Sequence, residues 1–418
     1  MKTIRLPLLL SLFLFTSISN AQLCEGRYQN DIFTETTKTT TKFGRSQNSD
    51  GQFQDLFMDI YEGKGDTGRL RPVVIFCFGG AFLSGSRESS SLVYMAQELA
   101  KKGYVSACID YRLASNTASL IQQEKIVKTV FRTIHDGKAA VRFFRKDAQT
   151  SEVYKVDQDQ IFIGGTSAGG ILSINLAYLD DSNKLSADWK KWVSEIGGME
   201  GNSGNPGYCS DVTGVFSFAG GIADTSFIDP NDPPLYASHS LLDLTVTFGK
   251  GRPLGGLAPI DLYGSGSLIR NMKSKGIYTQ FDSFGGAAHP PHSNPLRLTS
   301  TKDHLAEFLY DILDCNPSNK KKTSQRVCSS SSLEVKYNEG LIDEELQVYP
   351  NPTNGTFQVK GKYIIKEINL IDGIGRIVYE GRVNSKSVNL KLDLSKGIYS
   401  LMAKYSDGER ATLKIVIQ

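Results

Sequence analysis

Ser167 is the residue of this chain whose setting invites chemistry. It stands in Ile161-Phe162-Ile163-Gly164-Gly165-Thr166-Ser167-Ala168-Gly169-Gly170, an apolar run that breaks into glycines around one serine. Such a run predicts a buried strand, a tight turn and a helix start, with the serine at the apex clear of both elements. A bare Gly-x-Ser-x-Gly match also occurs in ordinary glycine loops, so its meaning depends on the rest of the chain. A serine hydroxyl is a poor nucleophile near neutral pH and needs a base, normally a histidine held in the right tautomer by a carboxylate. The chain has five histidines, at 135, 239, 289, 292 and 304. If the serine attacks a carbonyl, the oxygen that gains charge needs backbone N–H groups already aimed at it. Gly80 and Ala81, in Gly79-Gly80-Ala81-Phe82, and Ala168 beside the serine are the candidates.

Several elements must position these groups. Phe33 to Phe43 and Phe53 to Tyr61 read as two antiparallel edge strands. Pro72 to Phe78 is continuously apolar, as a strand buried on both faces would be, and ends in the Gly79-Gly80 turn. A helix over Ser89 to Lys102, a strand over Tyr104 to Ile109 and a long amphipathic helix carrying Val127, Val130, Phe131, Ile134, Val141 and Phe144 follow. After the Ser167 strand, alternation continues: a helix from Gly169 to Tyr178, strands at Val212 to Phe218 and Pro234 to Ser238, a helix at Leu268 to Lys275, a strand at Tyr278 to Phe284, and a last helix from Thr301 to Leu313. Alternation of this kind implies an α/β fold with a doubly wound, mostly parallel sheet, and a ligand site beyond the carboxyl ends of its strands. Ser167 and the Gly79-Gly80 turn both fall at such ends.

That topology constrains the partners of the serine. In an α/β-hydrolase arrangement the order along the chain is serine, acid, histidine. His135 precedes the serine on a helix, His304 lies inside the last helix, and His239 comes before the candidate acid. His289 and His292 remain, both in Gly285-Gly286-Ala287-Ala288-His289-Pro290-Pro291-His292, directly after a strand. His289 is preferred as the base because it follows the strand more closely; His292 stays open. Asp243 follows the penultimate strand and is the expected acid, whereas Asp224, Asp229 and Asp232 precede that strand and read as turn residues.

Residues from about 53 to 314 resemble the α/β-hydrolase superfamily, in the branch of carboxylesterases and hormone-sensitive-lipase-like esterases. Phe78 to Ser86 is similar to its oxyanion turn, Asp110-Tyr111-Arg112-Leu113 to the following strand-end motif, Gly165 to Gly170 to its nucleophile elbow, and Pro233 to Phe248 to its acid-bearing segment. The sequence departs from that pattern at Phe78, where histidine or tyrosine is usual, at Ala81 in place of a third glycine, and at Ser240 in place of a glycine. The resemblance implies a serine esterase with no metal or organic cofactor. Its substrate would be a small-molecule or polysaccharide-linked ester, such as an acetyl or feruloyl decoration. A serine peptidase of the prolyl-oligopeptidase type is an alternative, although no propeller-length region precedes the hydrolase part and Ala168 stands where that group carries a bulky aromatic. A non-catalytic surface adhesion module on a hydrolase fold is another. Asn183 to Ser210, with Trp189 and Trp192, reads as a cap over the site or as a packed amphipathic helix.

Four segments are expected. Residues 1–21, with Lys2 and Arg5 before an apolar run and Ser19-Asn20-Ala21 at its end, read as a signal peptide. Residues 22–315 form the catalytic domain. The polar stretch 316–345, with Lys320 to Lys322 and Ser329 to Ser332, is a linker. Residues 346–418 alternate short strands with dense turn signals, which predicts a small all-β sandwich. This last segment resembles the C-terminal sorting domain of type IX secretion, through Val348-Tyr349-Pro350-Asn351-Pro352 with Gly355, the Gly373-x-Gly375-Arg376 turn, Gly397-Ile398-Tyr399 and Leu413 to Ile417. It implies passage through the periplasm and outer membrane to the surface or outside, with the type IX machinery as partner; a generic β module such as a carbohydrate binder is the other reading. Without Lys2 and Arg5 the formal charge falls from +3 to about +1, so nucleic acid is not an expected partner. Six cysteines in an exported chain permit disulfides: Cys315 with Cys328 is the preferred pair, Cys24 with Cys209 a further one, and Cys77 and Cys108 are strand residues that could be free thiols.

Overall fold

A computed structural model describes residue 24 and residues 26–321, 346–372, 376–406 and 410–418. The expected signal peptide, Cys328, most of the expected linker and Gly373 to Gly375 lie outside the described residues. The chain divides into two units, one within residues 1–330 and one within 331–418.

The first unit is built on an eight-stranded sheet. In chain order its strands are β1 (Thr36–Gln47), β2 (Phe53–Gly63), β3 (Arg71–Cys77), β4 (Val105–Ile109), β5 (Val156–Thr166), β6 (Gly214–Phe218), β7 (Leu235–Ser240) and β8 (Thr279–Phe284). In space they run β1-β2-β4-β3-β5-β6-β7-β8. The β1–β2 and β2–β4 pairs are antiparallel and all later pairs are parallel. Parallel neighbours need crossovers, and helices supply them: α1 (Ser90–Lys101), α2 (Gln123–Gln149), α3 (Ala168–Tyr178), α4 (Ala187–Ser194), α5 (Ser265–Ser274) and α6 (Pro295–Asp311). Every residue of β3, β4, β6 and β7 is buried, which explains why these strands, Arg71 and His239 apart, are runs of apolar and small residues without alternation. The helices pack in two sets, α1 with α6 and α2 with α3.

Two expectations are corrected. The last helix begins at Pro295, six residues before Thr301. Asn294 caps it, its Oδ1 accepting from the amides of Leu296 and Arg297, and Pro295 sits at the first position, where no intrahelical N–H is needed. The disulfide of Cys315 is to Cys24, not Cys328, and Cys24 therefore does not pair with Cys209. The cause is the path of the N-terminal segment: the amides of Tyr28 and Ile32 bond to the carbonyls of Lys102 and Lys101, which seats the segment on the end of α1. Tyr28 packs on Tyr104 beneath it. Cys77 and Cys108 are buried free thiols, and burial pushes the Cys77 thiol up to about 12.

The paired strands of the second unit are antiparallel: β9 (Leu346–Tyr349), β10 (Thr356–Ile371), β11 (Ile377–Lys391), β12 (Gly397–Tyr405) and β13 (Arg410–Ile417). The long strand β10 pairs with β9, β11 and β12 along its length, and β12 pairs with β13. Phe357, Val359, Ile365, Ile368, Leu370, Leu401 and Ile415 form its own apolar core.

Candidate active site

The elbow after β5 is sterically determined. A Cβ on Gly165 or on Gly169 would lie 2.1 Å from the Cys77 carbonyl oxygen at the end of β3, so the turn can press against its neighbour strand only with glycine on both sides of the serine. Ser167 itself sits at φ +51°, ψ −113°, a conformation that L residues rarely adopt. Its amide is held by the Phe218 carbonyl at 2.8 Å, which ties the strained residue to the end of β6.

His289 stands over it. Nε2 of His289 is 2.7 Å from Ser167 Oγ, and Nδ1 is 2.6 Å from Asp243 Oδ2. An ionised carboxylate only accepts, so the proton is on Nδ1 and Nε2 accepts from the serine hydroxyl. The residues expected from the sequence as nucleophile, base and acid are therefore one hydrogen-bonded chain drawn from three separate loops. The acid loop after β7 and the histidine loop after β8 are joined to each other: Leu241 N bonds to Phe284 O at 2.9 Å, Leu242 N to Gly286 O at 3.0 Å, and Ser240 Oγ donates to Ala288 O at 2.7 Å. Ser240 replaces the glycine of the family pattern, and its hydroxyl secures the residue immediately before His289.

Asp243 has a full set of donors. Its Oδ1 accepts from the amides of Thr245 at 2.8 Å and Val246 at 3.1 Å. Burial alone would raise this carboxyl; hydrogen bonds from His239, His289 and the Thr245 amide outweigh it and hold the group far below the usual carboxylate range. His239 precedes the expected acid in the chain, yet its fully buried ring packs beside Asp243. Its Nε2 is 2.9 Å from Val246 O and 3.4 Å from Asp243 Oδ2, and its Nδ1 is 2.8 Å from Ser265 Oγ. Nε2 faces two acceptors and so carries the proton; Nδ1 then accepts from Ser265. The i, i+4 spacing of His239 and Asp243 across the end of β7 was the available sequence signal.

The other histidines do different work. His292 is buried, edge-on to Phe218, with Nε2 3.3 Å from Thr166 Oγ1, and burial lowers it to about 4. His135 is buried on α2 and bonds Gly198 O, and burial lowers it to about 3. His304 pairs with Asp282 at 2.7 Å. Of the rival acids, Asp224 caps a short turn, Asp229 pairs with Lys184, and Asp232 accepts from the Asp229 amide.

Opposite His289 is the turn after β3. Gly80, Ala81 and Phe82 take φ of +130°, +55° and +61° in succession, and a Cβ on Gly80 would lie 2.1 Å from Ser84 O. The turn is closed by Leu83 N and Ser84 N on Gly80 O, and by Ala114 N on Phe82 O. Tyr111 supports it from below, donating to Phe78 O at 2.8 Å and stacking on the Phe78 ring at 4.0 Å. Gly80, Ala81 and Ala168 all border the space beside Ser167, and among the described residues their N–H groups donate to no protein acceptor. Arg112 is fixed by Asp136 at 2.8 Å, which anchors the segment carrying Tyr111 to α2.

Two spaces meet at Ser167. One is an apolar cavity of about 100 Å³ whose walls include Phe82, Phe131, Ile171, Trp189 and Val246. The other is a wider cleft of about 860 Å³, bordered by His289, His292 and a group of serines. The segment 183–210 contributes α4, whose Trp189 faces the cavity while Trp192 packs half-buried on the core.

Comparison with known proteins agrees with these two units. Residues 58–200 match the BD-FAE family, a span that includes the Gly79-Gly80 turn and Ser167 but ends before Asp243 and His289. Residues 347–418 match the secretion system C-terminal sorting domain. No curated protein sequence matches the chain. Among solved structures, the first unit is similar to Thermogutta terrifontis esterase 2. Its form phosphonylated by cyclosarin shares 20% identity over 68% of this chain and 96% of that chain, at a TM-score of 0.48. Its apo form shares 20% over 68% and 97%, also at 0.48, and its propionate-bound form 19% over 68% and 96%, at 0.46. The chain thus carries a BD-FAE domain of α/β-hydrolase fold, is a carboxylic ester hydrolase, and ends in a sorting domain that directs it through type IX secretion to the cell surface or beyond.

Proposed function

We propose that the protein cleaves its esters through a Ser167-His289-Asp243 triad, with Ala81, Ala168 and Gly80 as oxyanion donors. The observation that carries this reading is the unbroken pair of hydrogen bonds from Ser167 Oγ through both nitrogens of His289 to Asp243. Ser167 Oγ attacks the ester carbonyl carbon as its proton passes to His289 Nε2, and the carbonyl oxygen becomes an oxyanion facing the backbone amides. Collapse breaks the bond to the alcohol oxygen, which takes the proton from Nε2 and departs. Water, deprotonated by the same nitrogen, then releases the acid and restores the serine. Asp243, already ionised and saturated with donors, orients the imidazole and stabilises the imidazolium.

The substrates proposed are ester decorations of polysaccharides, such as acetyl or feruloyl groups, met outside the cell. Support comes from export and from the serine-rich cleft beside His289, which suits a hydroxylated alcohol. The test is labelling by a fluorophosphonate together with hydrolysis of p-nitrophenyl esters. Both should occur in the wild type and vanish in Ser167→Ala; hydrolysis of aminoacyl nitroanilides without ester cleavage would favour the peptidase alternative instead.

A further inference from the structure

The two spaces at Ser167 are not equivalent, and the chemistry assigns each to one half of the ester. In the tetrahedral intermediate the central carbon has four substituents. One is Ser167 Oγ, and one is the oxyanion turned toward the amides of Ala81 and Ala168. The alcohol oxygen must be within hydrogen-bond reach of His289 Nε2, because that nitrogen returns the proton to it. His289 borders the wide cleft and is not part of the cavity wall. The alcohol therefore leaves through the cleft, and the acyl carbon is left with the cavity.

From this placement we infer that, among esters of polar, hydroxylated alcohols, the site prefers an uncharged, apolar acyl group larger than acetyl, and that Trp189 limits the acyl size. The inference rests on the serine-esterase reading above. Among the described residues the cavity wall carries no charged side chain. Its polar members are Ser167, Thr245 and Asn175, and the Asn175 amide nitrogen is already committed to the carbonyls of Ile171 and Gly221. An acyl group bearing a carboxylate would be buried there without a partner, which is strongly unfavourable. An acetyl methyl leaves most of the apolar wall uncovered, whereas each further methylene removes more apolar surface from water. The cleft has the opposite character: Ser84, Ser89, Ser90, Ser91 and Ser293 border it, and its width places little restriction on the alcohol. Trp189 reaches the cavity from α4, whose capping serine Ser186 fixes the first turn through the Trp189 amide at 3.3 Å. The indole is the largest side chain in the wall and comes from the segment between α3 and β6.

The experiment uses the secreted protein and two matched series. With p-nitrophenol as the alcohol, acyl length is varied from acetate through butanoate to hexanoate; with butanoate as the acyl group, the alcohol is varied from p-nitrophenol to methanol and glucose. The expected result is a rise in kcat/KM of about fourfold per added methylene until the cavity is full, with succinate monoesters poor. Trp189→Ala should move the optimum to longer acyl groups, and Val130→Phe, which fills the same cavity, should move it back toward acetate. Neither should reorder the alcohol series. A wild type that is labelled at Ser167 and cleaves esters, yet is fastest on acetate or indifferent to acyl length, overturns the inference and leaves the esterase reading intact. Absence of labelling and of any ester cleavage would overturn that reading itself. Should Trp189→Ala fail to fold, the wild-type series and Val130→Phe decide the matter alone.

Discussion

His239 Nε2 lies 3.4 Å from Asp243 Oδ2, the same oxygen that accepts from His289 Nδ1. Two imidazoles thus meet on one carboxylate oxygen, and of the two only His289 touches Ser167. His239 is a positioning residue: with Ser265 on its other nitrogen and Val246 O sharing its proton, it fixes where Oδ2 can be.

His239→Phe should therefore leave KM for a small ester nearly unchanged and lower kcat by about tenfold, the loss expected of one hydrogen bond to a charged group. His239→Gln keeps an amide donor on that side and should recover much of the rate. Steady-state kinetics of the pair check this; a merely structural role would lower the melting temperature of both variants without separating their kcat values.

Gly169→Ala brings a Cβ to 2.1 Å from the Cys77 carbonyl. Neither partner is a flexible side chain, so the elbow must move off β3. A loss of about 1–3 kcal/mol in stability is expected, with activity falling further than stability because Ser167 moves too. Denaturant melts and p-nitrophenyl ester turnover read the two effects separately.

Acid should unfold the catalytic unit through its buried histidines. His292 and His135 are lowered by burial to about 4 and about 3. Below their unfolded value of about 6.5 the unfolded chain binds protons that the folded one refuses, so stability falls as pH drops from about 6.5 toward 4. At pH 5 each ring should cost about 2 kcal/mol relative to pH 7. Melting temperatures across that range check the slope, and His135→Gln should flatten it.

Reductant should weaken the same unit. The Cys24–Cys315 bond closes a loop of sequence separation 291, and its removal is expected to lower stability by about 2–5 kcal/mol. In a thermal melt the double variant Cys24→Ser, Cys315→Ser should reproduce part of the loss seen on reducing the wild type, because Cys209 is disulfide-bonded as well.

Much of this was legible in the sequence, and the reasons are local. The buried parallel strands announce themselves as continuous apolar runs, and the elbow as glycines around Ser167 at the end of one of them. His289 and Asp243 followed because strand order limits which loops can reach a strand end. What escaped was long-range or sterically hidden. The Cys24–Cys315 pair depends on the N-terminal segment being seated on the end of α1, a contact that no spacing rule encodes. The early start of α6 was written in Asn294-Pro295 but masked by the polar first turn. His239 was dismissed for its place in the chain, although placement before the acid does not prevent packing beside it. Ser240, a departure from the family pattern, carries a hydrogen bond that only the pairing of the acid and histidine loops makes visible.

The Cys24–Cys315 bridge has one more effect, and it is topological. Ser167, Asp243 and His289 all lie between the two cysteines, so the proposed triad sits inside a covalent ring. A single cut by a peptidase anywhere along that ring opens it without releasing a fragment. A nick there leaves the two pieces tethered, with Ser167, Asp243 and His289 still on one molecule.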